Sequence, residues 1–408
     1  MEEWKLTKIG SLCKRVCSGG TPKSTIEEYF GGGIPWLNTK EVNFNRIYST
    51  ESTISDAGLN NSSAKWIDKH SVIVAMYGAT AAKCAIGMIP MTTNQACCNL
   101  MVDENLADYR FIYYALTNSY STLASLANGG AQQNLNAQLI KDFEIPLPDL
   151  QTQHRIADIL TSIDDKIENN NQINHNLEEQ AQALYKSWFV DFEPFRDGKF
   201  VESELGMIPE GWRVGQLSEI CEIVGGGTPS KVKTEYYTNN GIHWLTPKDL
   251  SISCKKFTSR GLDDITELGY KSSSAKLMPK GAVLFSSRAP IGYLTIAKNT
   301  ICTNQGFKSA VPGIAGTAFL YYYLKFNTEY IKTLASGSTF KEASGSLMKS
   351  LAVVIPPKMV FDKFEDVMAR YFDSQENIEL ENSHHLEVRD SLLPRLMSGE
   401  LKINDLTC

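Results

Sequence analysis

Two stretches of the chain place apolar residues at the spacing of a long helix that packs along one face. In the first stretch the repeating positions are Ile156, Leu160, Ile163, Ile167, Asn170, Asn174, Leu177, Ala181, Leu184 and Trp188. In the second they are Phe361, Phe364, Met368, Tyr371, Gln375, Ile378, Asn382 and His385, followed by Leu392 and Leu396. Alternating steps of four and three predict two heptad helices, over 149–190 and 357–400. Each would hold about 38 residues and span roughly 57 Å.

The two predicted helices are polar in the middle of their apolar seams. Buried asparagine in such a seam fixes the register and the choice of partner, at some cost in stability. We therefore expect the two helices to pair with each other, antiparallel, and to act as a spacer. The alternative is two separate amphipathic helices, each packed on its own domain.

The rest of the chain alternates short apolar runs with glycine and proline. The runs at 72–77 and 282–285 predict strands, and an aromatic-rich helix is expected near 109–126 and again near 317–334. The fold class predicted is α+β, with two similar globular domains, mainly β with helices, over 1–148 and 211–356. An irregular linker is expected over 191–210, because it contains two prolines and two glycines.

The two globular parts repeat each other at an offset of about 208 residues. The repeated motifs include Gly19-Gly20-Thr21-Pro22 and Gly226-Gly227-Thr228-Pro229, Ser62-Ser63-Ala64-Lys65 and Ser273-Ser274-Ala275-Lys276, and Thr93-Asn94-Gln95 and Thr303-Asn304-Gln305. A duplicated domain presents two similar surfaces, so the partner is expected to have two similar sites.

Composition narrows the class of protein. The 408 residues are 42% hydrophobic but contain no run of 18 apolar residues, so no membrane span is expected. Nine cysteines without a disulfide-like spacing, and no signal peptide at the start, indicate a cytoplasmic chain. The net charge of −6 is uneven, since residues 149–200 and 357–408 each carry −5 while residues 201–356 carry +5. The globular parts are therefore compatible with a phosphate-bearing partner, although the chain alone should bind DNA weakly.

No catalytic or metal-binding motif is found. The segment Asp191-Phe192-Glu193-Pro194-Phe195 resembles a methyltransferase element but lacks its first proline and a glycine-rich cofactor loop. The glycine run at 225–227 lacks the Gly-Lys-Ser/Thr ending of a phosphate loop. The histidines are scattered, and the cysteines do not match zinc-ligand spacing.

Polar residues in the repeated turns are the candidates for DNA contact. Asn, Gln and Arg suit base edges, whereas Lys and Thr suit phosphates. In the first half the candidates are Thr21, Lys23, Asn38, Lys40, Tyr77, Thr80, Asn94, Gln95, Gln132 and Asn134. In the second half they are Thr228, Lys231, Thr246, Lys248, Ser286, Ser287, Arg288, Asn304, Gln305, Ser338 and Lys341.

The pattern resembles the specificity (S) subunit of type I restriction-modification systems over nearly the whole chain. The most specific stretches are 145–148 running into 153–164, then 184–192, 205–212 and 392–401. The second copy departs from the pattern, because Phe361-Asp362-Lys363-Phe364 stands where the first has Gln153-His154-Arg155-Ile156.

The resemblance implies a chain without catalytic activity of its own. Two target recognition domains would each read one half of a bipartite, asymmetric sequence in double-stranded DNA, and the paired helices would set the gap. The helices would also dock two methyltransferase (M) subunits that carry S-adenosylmethionine, and restriction (R) subunits would add ATP and Mg chemistry. The residues expected to pair the helices or dock subunits are Ile156, Leu160, Ile163, Ile167, Leu177, Leu184, Phe361, Phe364, Met368 and Ile378.

Two other classes of protein remain as alternatives. One is a methyltransferase or nuclease with its own specificity domains, which needs a cofactor loop or a carboxylate cluster. The other is a protein-interaction scaffold whose two globular domains bind proteins.

Overall fold

The computed structural model describes residues 4–126, 135–252, 255–337 and 341–401. The chain divides into two compact units, each of which contains a stretch of both long helices. The first unit comprises Met1–Glu168 with His384–Cys408, and the second comprises Asn169–Ser383. The long helices run from Leu150 to Phe189 and from Lys358 to Met397. Over the described part of the chain, no helix is long and apolar enough to cross a membrane.

The first unit is built on two β-sheets. In hydrogen-bonding order, the five-stranded sheet contains Cys13–Ser18, Cys97–Val102, Val72–Ala75, Cys84–Gly87 and Asn45–Ile47. The four-stranded sheet contains Ser52–Ile54, Phe30–Leu37, Met91–Thr93 and Trp66–Ile67, and a separate pair joins Lys5–Lys8 to Glu144–Leu147. The short helices are Asp56–Asn60, Tyr109–Asn118, Tyr120–Leu126 and Ala137–Asp142. Within the five-stranded sheet the central strands are buried on both faces, so they contain few polar residues.

The second unit repeats this plan. Its five-stranded sheet contains Cys221–Gly225, Lys308–Pro312, Val283–Ser287, Ile291–Ala297 and Phe257–Thr258. Its four-stranded sheet contains Tyr237–Thr238, Asp264–Ile265, Ile242–Leu245 and Cys302–Thr303, and Arg213–Gln216 pairs with Ala352–Ile355. The short helices are Pro247–Ile252, Glu267–Lys271, Thr317–Leu334 and Gly345–Ser350. The order of the five-stranded sheet is the same in both units, which confirms the predicted α+β duplication.

The long helices pair antiparallel within each unit. In the second unit Asn170 donates to the Asn382 side chain at 2.9 Å, and farther along the pair Phe189 packs on Phe364 with ring centroids 4.8 Å apart. In the first unit Arg389 donates to Asp164 at 3.0 Å. The predicted pairing is therefore confirmed, and a buried asparagine contact lies in the seam as expected.

In each unit, the stretches of the long helices also pack on the core of that unit. Ile156 and Leu160 share a hydrophobic cluster with Phe111 of the first unit, and Phe361 and Phe364 share one with the aromatic residues of the second. The two arrangements weighed from the sequence are thus combined, since the helices both pair and pack on a domain.

Two elements differ from the sequence-based expectation. The aromatic helix expected over 109–126 is broken in the first unit at Ser119, which caps one helix and precedes the next. The segment 191–210, expected to be irregular, contains a hairpin in which Phe200–Ser203 pairs with Gly206–Pro209. Gly206 lies at φ 97°, a conformation that favours glycine, and it forms the hairpin turn.

The aromatic-rich helices that begin at Tyr109 in the first unit and at Thr317 in the second are capped in different ways. In the first unit the N-cap residue Asp108 satisfies the helix itself, because its side chain accepts from the backbone N–H of Arg110 at 2.8 Å. In the second unit Gly316 occupies the cap position and offers no side chain. Glu365 of the second long helix supplies the acceptors instead, for the N–H groups of Ala318 at 3.0 Å and Phe319 at 2.9 Å. A carboxylate at a helix N-terminus satisfies unpaired N–H groups and complements the helix dipole.

Candidate nucleic-acid interface

Three repeated turns meet at one place in the first unit. The backbone N–H of Gly20 donates to the carbonyl of Thr93 at 2.8 Å, and the indole N–H of Trp36 donates to the carbonyl of Gly20 at 2.9 Å. A Cβ atom added at Gly20 would lie 2.2 Å from the backbone nitrogen of Ala64, so only glycine fits. We call residues 19–22, 62–65 and 93–95 the three-turn cluster of the first unit.

The second unit builds the same cluster from residues 226–229, 273–276 and 303–305. Gly227 N–H donates to the carbonyl of Thr303 at 2.9 Å, and the indole of Trp244 donates to the carbonyl of Gly227 at 3.0 Å. A Cβ atom at Gly227 would again lie 2.2 Å from a backbone nitrogen, here that of Ala275. The sequence repeat is therefore a repeat of one rigid backbone arrangement.

A threonine–glutamine hydrogen bond crosses each cluster. The hydroxyl of Thr21 donates to the amide oxygen of Gln95, and that of Thr228 donates to the amide oxygen of Gln305. Both glutamines are exposed. Because the amide oxygen is engaged, the NH₂ group of each glutamine remains as a donor toward solvent.

The neighbouring asparagines are used inside the turns. Asn94 is buried, and its side-chain oxygen accepts from the N–H of Ala96 at 3.1 Å. Asn304 accepts from the N–H of Gly306 at 2.8 Å in the same way. These two candidates therefore shape the loop that presents the glutamine, a role of asparagine in turns generally.

Of the four candidates that follow the repeated tryptophans, Lys40 and Thr246 bond nearby carboxylates through their side chains. Asn38 caps a short helical turn by accepting from the N–H of Lys40 at 3.2 Å, and Lys40 forms an exposed ion pair with Glu51. The hydrogen bond that Lys40 donates to the Glu51 carboxylate raises the pKa of Lys40. In the second unit the hydroxyl of Thr246 donates to Asp249 at 2.8 Å. Lys248 is exposed.

The segments after the central strands differ between the units. Tyr77 and Thr80 are half-buried in the first, and the hydroxyl of Thr80 donates to the carbonyl of Thr39 at 2.8 Å. Ser286 and Ser287 are buried in the second, because the strand continues through Ser287, and their hydroxyls donate to backbone carbonyls. Arg288 is partly exposed, with its guanidinium 3.6 Å from Glu342.

Six DNA-contact candidates remain. Lys341 is exposed, while Gln132, Asn134 and Ser338 lie outside the described residues. Lys23 and Lys231 are both exposed. All the DNA-contact assignments stay predictions.

Sequence reasoning missed two exposed positions at each Ser-Ser-Ala-Lys turn, one in the cluster and one directly after it. Lys65 and Trp66 follow the Ser-Ser-Ala motif of the first unit, and Lys276 and Leu277 follow that of the second. Trp66 is 43% exposed and Leu277 45%. The repeated Ser-Ser-Ala-Lys motif was the available signal.

A buried charge cluster in the second unit joins the recognition domain to both long helices. The ammonium of Lys256, whose side chain is 7% exposed, donates to Glu178 of the first long helix at 2.8 Å. It also donates to the hydroxyl of Tyr322 at 2.8 Å and to Gln375 of the second long helix at 2.7 Å. Lys325 pairs with the other oxygen of Glu178 at 2.5 Å.

The aromatic surroundings of this cluster favour its charged form. The ammonium of Lys256 lies 4.1 Å from the ring centroid of Phe372 and 4.6 Å from that of Tyr321. Burial opposes charge on Glu178, but the two lysines outweigh it and lower the pKa of Glu178 from 4.5 to about 2. Burial lowers the pKa of Lys256. With three acceptors around it, Lys256 remains an ammonium at neutral pH.

The residues predicted to pair helices or dock subunits fall into two groups. Ile156, Leu160, Phe361, Phe364 and Met368 are buried in the chain's own cores. Ile163, Ile167, Leu177, Leu184 and Ile378 are half-buried. In the second unit Leu177 also lines a groove of about 630 Å³ between the helices, together with Val367 and Tyr371.

Among the described residues, no group of three or more His, Cys, Asp or Glu side chains is placed to hold a metal ion.

Taken together, the duplicated cluster and paired helices define a recognition protein that presents two equivalent surfaces. The chain belongs to the family of type I restriction modification DNA specificity domains, whose model matches residues 1–179 and 209–388. Members of this family are specificity subunits, and recognition of a DNA sequence is the role of this chain in a type I restriction-modification system.

Similar proteins agree over nearly the full length. The MjaIX specificity subunit of Methanocaldococcus jannaschii is 27% identical over 99% of this chain and 95% of its own length. The HindI specificity subunit of Haemophilus influenzae is 26% identical over 98% of this chain and 100% of its own. The structure of a type I restriction-modification S subunit from M. genitalium has a TM-score of 0.59, with 19% identity and 96% of each chain covered, which supports the fold.

Proposed function

We propose that each unit reads one half of a bipartite, asymmetric target in double-stranded DNA. The observation that supports this is the three-turn cluster, which recurs with the same hydrogen bonds in both units. Each cluster presents exposed lysine and glutamine side chains, which suit phosphates and bases. The segments that differ, such as 77–80 and 286–289, would supply the difference between the half-sites.

The chain would work without catalysing a reaction itself. Two methyltransferase subunits would carry S-adenosylmethionine, and restriction subunits would carry ATP and Mg, in the cytoplasm. The segments that contain the long helices, 149–200 and 357–408, each carry a net charge of −5. The helices would therefore dock proteins rather than DNA.

Exposed apolar residues on the helices support this docking role. The second long helix has three apolar side chains that are each more than a third exposed, Val367, Leu380 and Leu386. On the first long helix, Ile173 is also more than a third exposed. Val367 also lines the groove between the helices in the second unit. A partner that covers these side chains would remove apolar surface from water, which stabilises association.

The test is co-expression with the methyltransferase subunit of the same system, followed by single-molecule sequencing of host DNA for methylated adenines. The expected result is methylation at one bipartite motif with a fixed gap. A stable complex without methylation would contradict the proposal, and so would methylation by the chain alone when supplied with labelled S-adenosylmethionine.

Docking can be tested separately with Val367→Asp. The expected result is loss of methyltransferase from the purified complex, because a carboxylate buried without a partner is costly. Ser162→Asp is the matched control, since it adds the same charge at an exposed position of a long helix. Equal co-purification with both variants would contradict docking at this groove.

A further inference from the structure

The three-turn clusters share the same backbone hydrogen bonds, and the side chains that they present to solvent are all hydrogen-bond donors. In the first unit the side chains presented are Lys23, Lys65 and the amide NH₂ of Gln95, and in the second they are Lys231, Lys276 and that of Gln305. All six groups are hydrogen-bond donors, and four of them are cations. Base edges in the major groove present donors and acceptors together, whereas phosphate oxygens present acceptors only.

The four lysines are available for a ligand. Within the part of the chain that the structure describes, none of them forms an ion pair or a hydrogen bond through its ammonium. Among the other basic candidates, Lys40 pairs with Glu51 at 2.5 Å and Arg288 lies 3.6 Å from Glu342, whereas Lys248 is exposed and forms no ion pair with the described residues. Each unit therefore places two unpaired lysines at its three-turn cluster, one in the Ser-Ser-Ala-Lys turn and one within two residues after the Gly-Gly-Thr-Pro turn.

The scaffold under these side chains is rigid. The backbone hydrogen bond that ties the Gly-Gly turn to the Thr-Asn-Gln turn is 2.8 Å long in the first unit and 2.9 Å in the second. The preceding glycine donates to the carbonyl of Cys97 at 3.3 Å in the first unit and to that of Phe307 at 3.5 Å in the second. The threonine hydroxyl holds each glutamine in one orientation. Donors fixed in this way are suited to one recurring ligand geometry.

Repetition itself then limits what the clusters can recognise. Lysine recurs at the matching positions 65 and 276, and glutamine at 95 and 305, so these side chains cannot distinguish two different half-sites. What the halves of an asymmetric target share is the sugar-phosphate backbone, and phosphate contacts fix register without reading sequence.

We propose that the three-turn clusters, with the lysine that follows each Gly-Gly-Thr-Pro turn, are a pair of phosphate clamps, one per unit. Lys23, Lys65 and Gln95 hold the DNA backbone in the first unit, and Lys231, Lys276 and Gln305 hold it in the second. Base reading is then left to the segments that differ between the units, including Arg288. This assignment rests on the proposed function, because it requires that each unit contacts DNA, and it moves Gln95 and Gln305 from base contact to phosphate contact.

The experiment uses the complex reconstituted with its methyltransferase subunit and the variants Lys65→Ala, Lys276→Ala and their combination. Equilibrium binding to a target duplex and to an unrelated duplex is measured as a function of salt concentration. Each lost phosphate contact should reduce the slope of log K against log salt by about 0.9, so the double variant should lose about 1.8. Affinity should fall for both duplexes by the same factor, and the methylated motif should not change.

Matched controls separate the clamp from a general loss of charge. Lys8→Ala in the first unit and Lys358→Ala in the second remove an exposed lysine that is already paired with a carboxylate. These variants should keep the wild-type slope, and Lys65→Arg with Lys276→Arg should keep it as well because the charge is retained. Hydrogen exchange of each variant checks that both units remain folded.

The outcomes are distinguishable. A change in the methylated motif in one half-site, with an unchanged salt slope, would show base reading and overturn the clamp. A salt slope equal to that of wild type and an unchanged motif would show that the lysines do not contact DNA, which also overturns it. Failure of the wild-type complex to methylate any motif would instead refute the proposed function.

Discussion

Replacement of Glu178 by glutamine is the sharpest test of how the second unit is held together. The change keeps the size and most hydrogen bonds of the side chain but leaves Lys256 and Lys325 without their shared carboxylate. Lys256 is almost fully buried, and Glu178 is 18% exposed, so solvent screens the lost interaction only weakly.

Two independent arguments give the magnitude. Removal of one partner of a buried ion pair costs about 3–5 kcal/mol, because the remaining charge is buried without compensation. The pKa of Glu178 is lowered from 4.5 to about 2. At 1.36 kcal/mol for each tenfold change in proton affinity, this corresponds to about 3 kcal/mol. We therefore expect Glu178→Gln to destabilise the second unit by roughly 3–5 kcal/mol.

The assay is hydrogen–deuterium exchange followed by mass spectrometry, which reports each unit separately. Amides of the helix Thr317–Leu334, which carries Tyr322 and Lys325, should lose protection equivalent to that free energy. The helix Tyr109–Asn118 of the first unit should change little and serves as the internal reference.

Asp362→Asn is the matched control on the second long helix. It removes a carboxylate from an exposed ion pair with Lys358, whose side chains are 66% and 55% exposed, so about 0.5 kcal/mol or less is expected. If Glu178→Gln reduces protection no more than Asp362→Asn does, the buried cluster does not stabilise the unit and the reasoning is refuted.

Three further predictions concern acid, a core hydrogen bond and base reading. Because the folded-state pKa of Glu178 is depressed, the contribution of Glu178 to the stability of the second unit is complete above about pH 4.5 and is lost as the pH falls toward 2. The urea midpoint of the second unit should therefore fall over this pH window in the wild type and much less in Glu178→Gln. Asn99→Ser should destabilise the first unit by about 1 kcal/mol, because the side chain of Asn99 donates a hydrogen bond to Thr93 at 2.9 Å. At the equivalent place in the second unit, the hydroxyls of Ser309 and Thr303 have no partner among the described residues. Thermal unfolding measures the change, and an unchanged stability of the first unit would count against this prediction. Arg288→Ala should relax one position of one half-site by about 1–3 kcal/mol of discrimination, and loss across both halves of the sequenced motif would mark it as structural.

The sequence was most informative where a pattern repeats. Heptad spacing predicted both long helices and their pairing, and the asparagine contact between Asn170 and Asn382 followed from the polar seam. It was less informative where contacts are distant along the chain. Lys256 gave no signal, because its partners Glu178 and Gln375 lie 78 and 119 residues away. Ser286 and Ser287 resembled turn residues, although the strand continues through them and buries both.

The helices that begin at Tyr109 and Thr317 are capped differently, and this difference decides which boundaries suit an exchange of domains between this chain and a relative. A hybrid that takes its first recognition domain from this chain brings Asp108 along, so the acceptor for the N–H group of Arg110 moves with the domain. A hybrid that takes only residues 211–356 leaves Glu365 behind, and the N–H groups of Ala318 and Phe319 lose their acceptor. New DNA specificities assembled from such parts should therefore exchange the second domain together with the start of its long helix, or choose recipients with glutamate at the equivalent helix position.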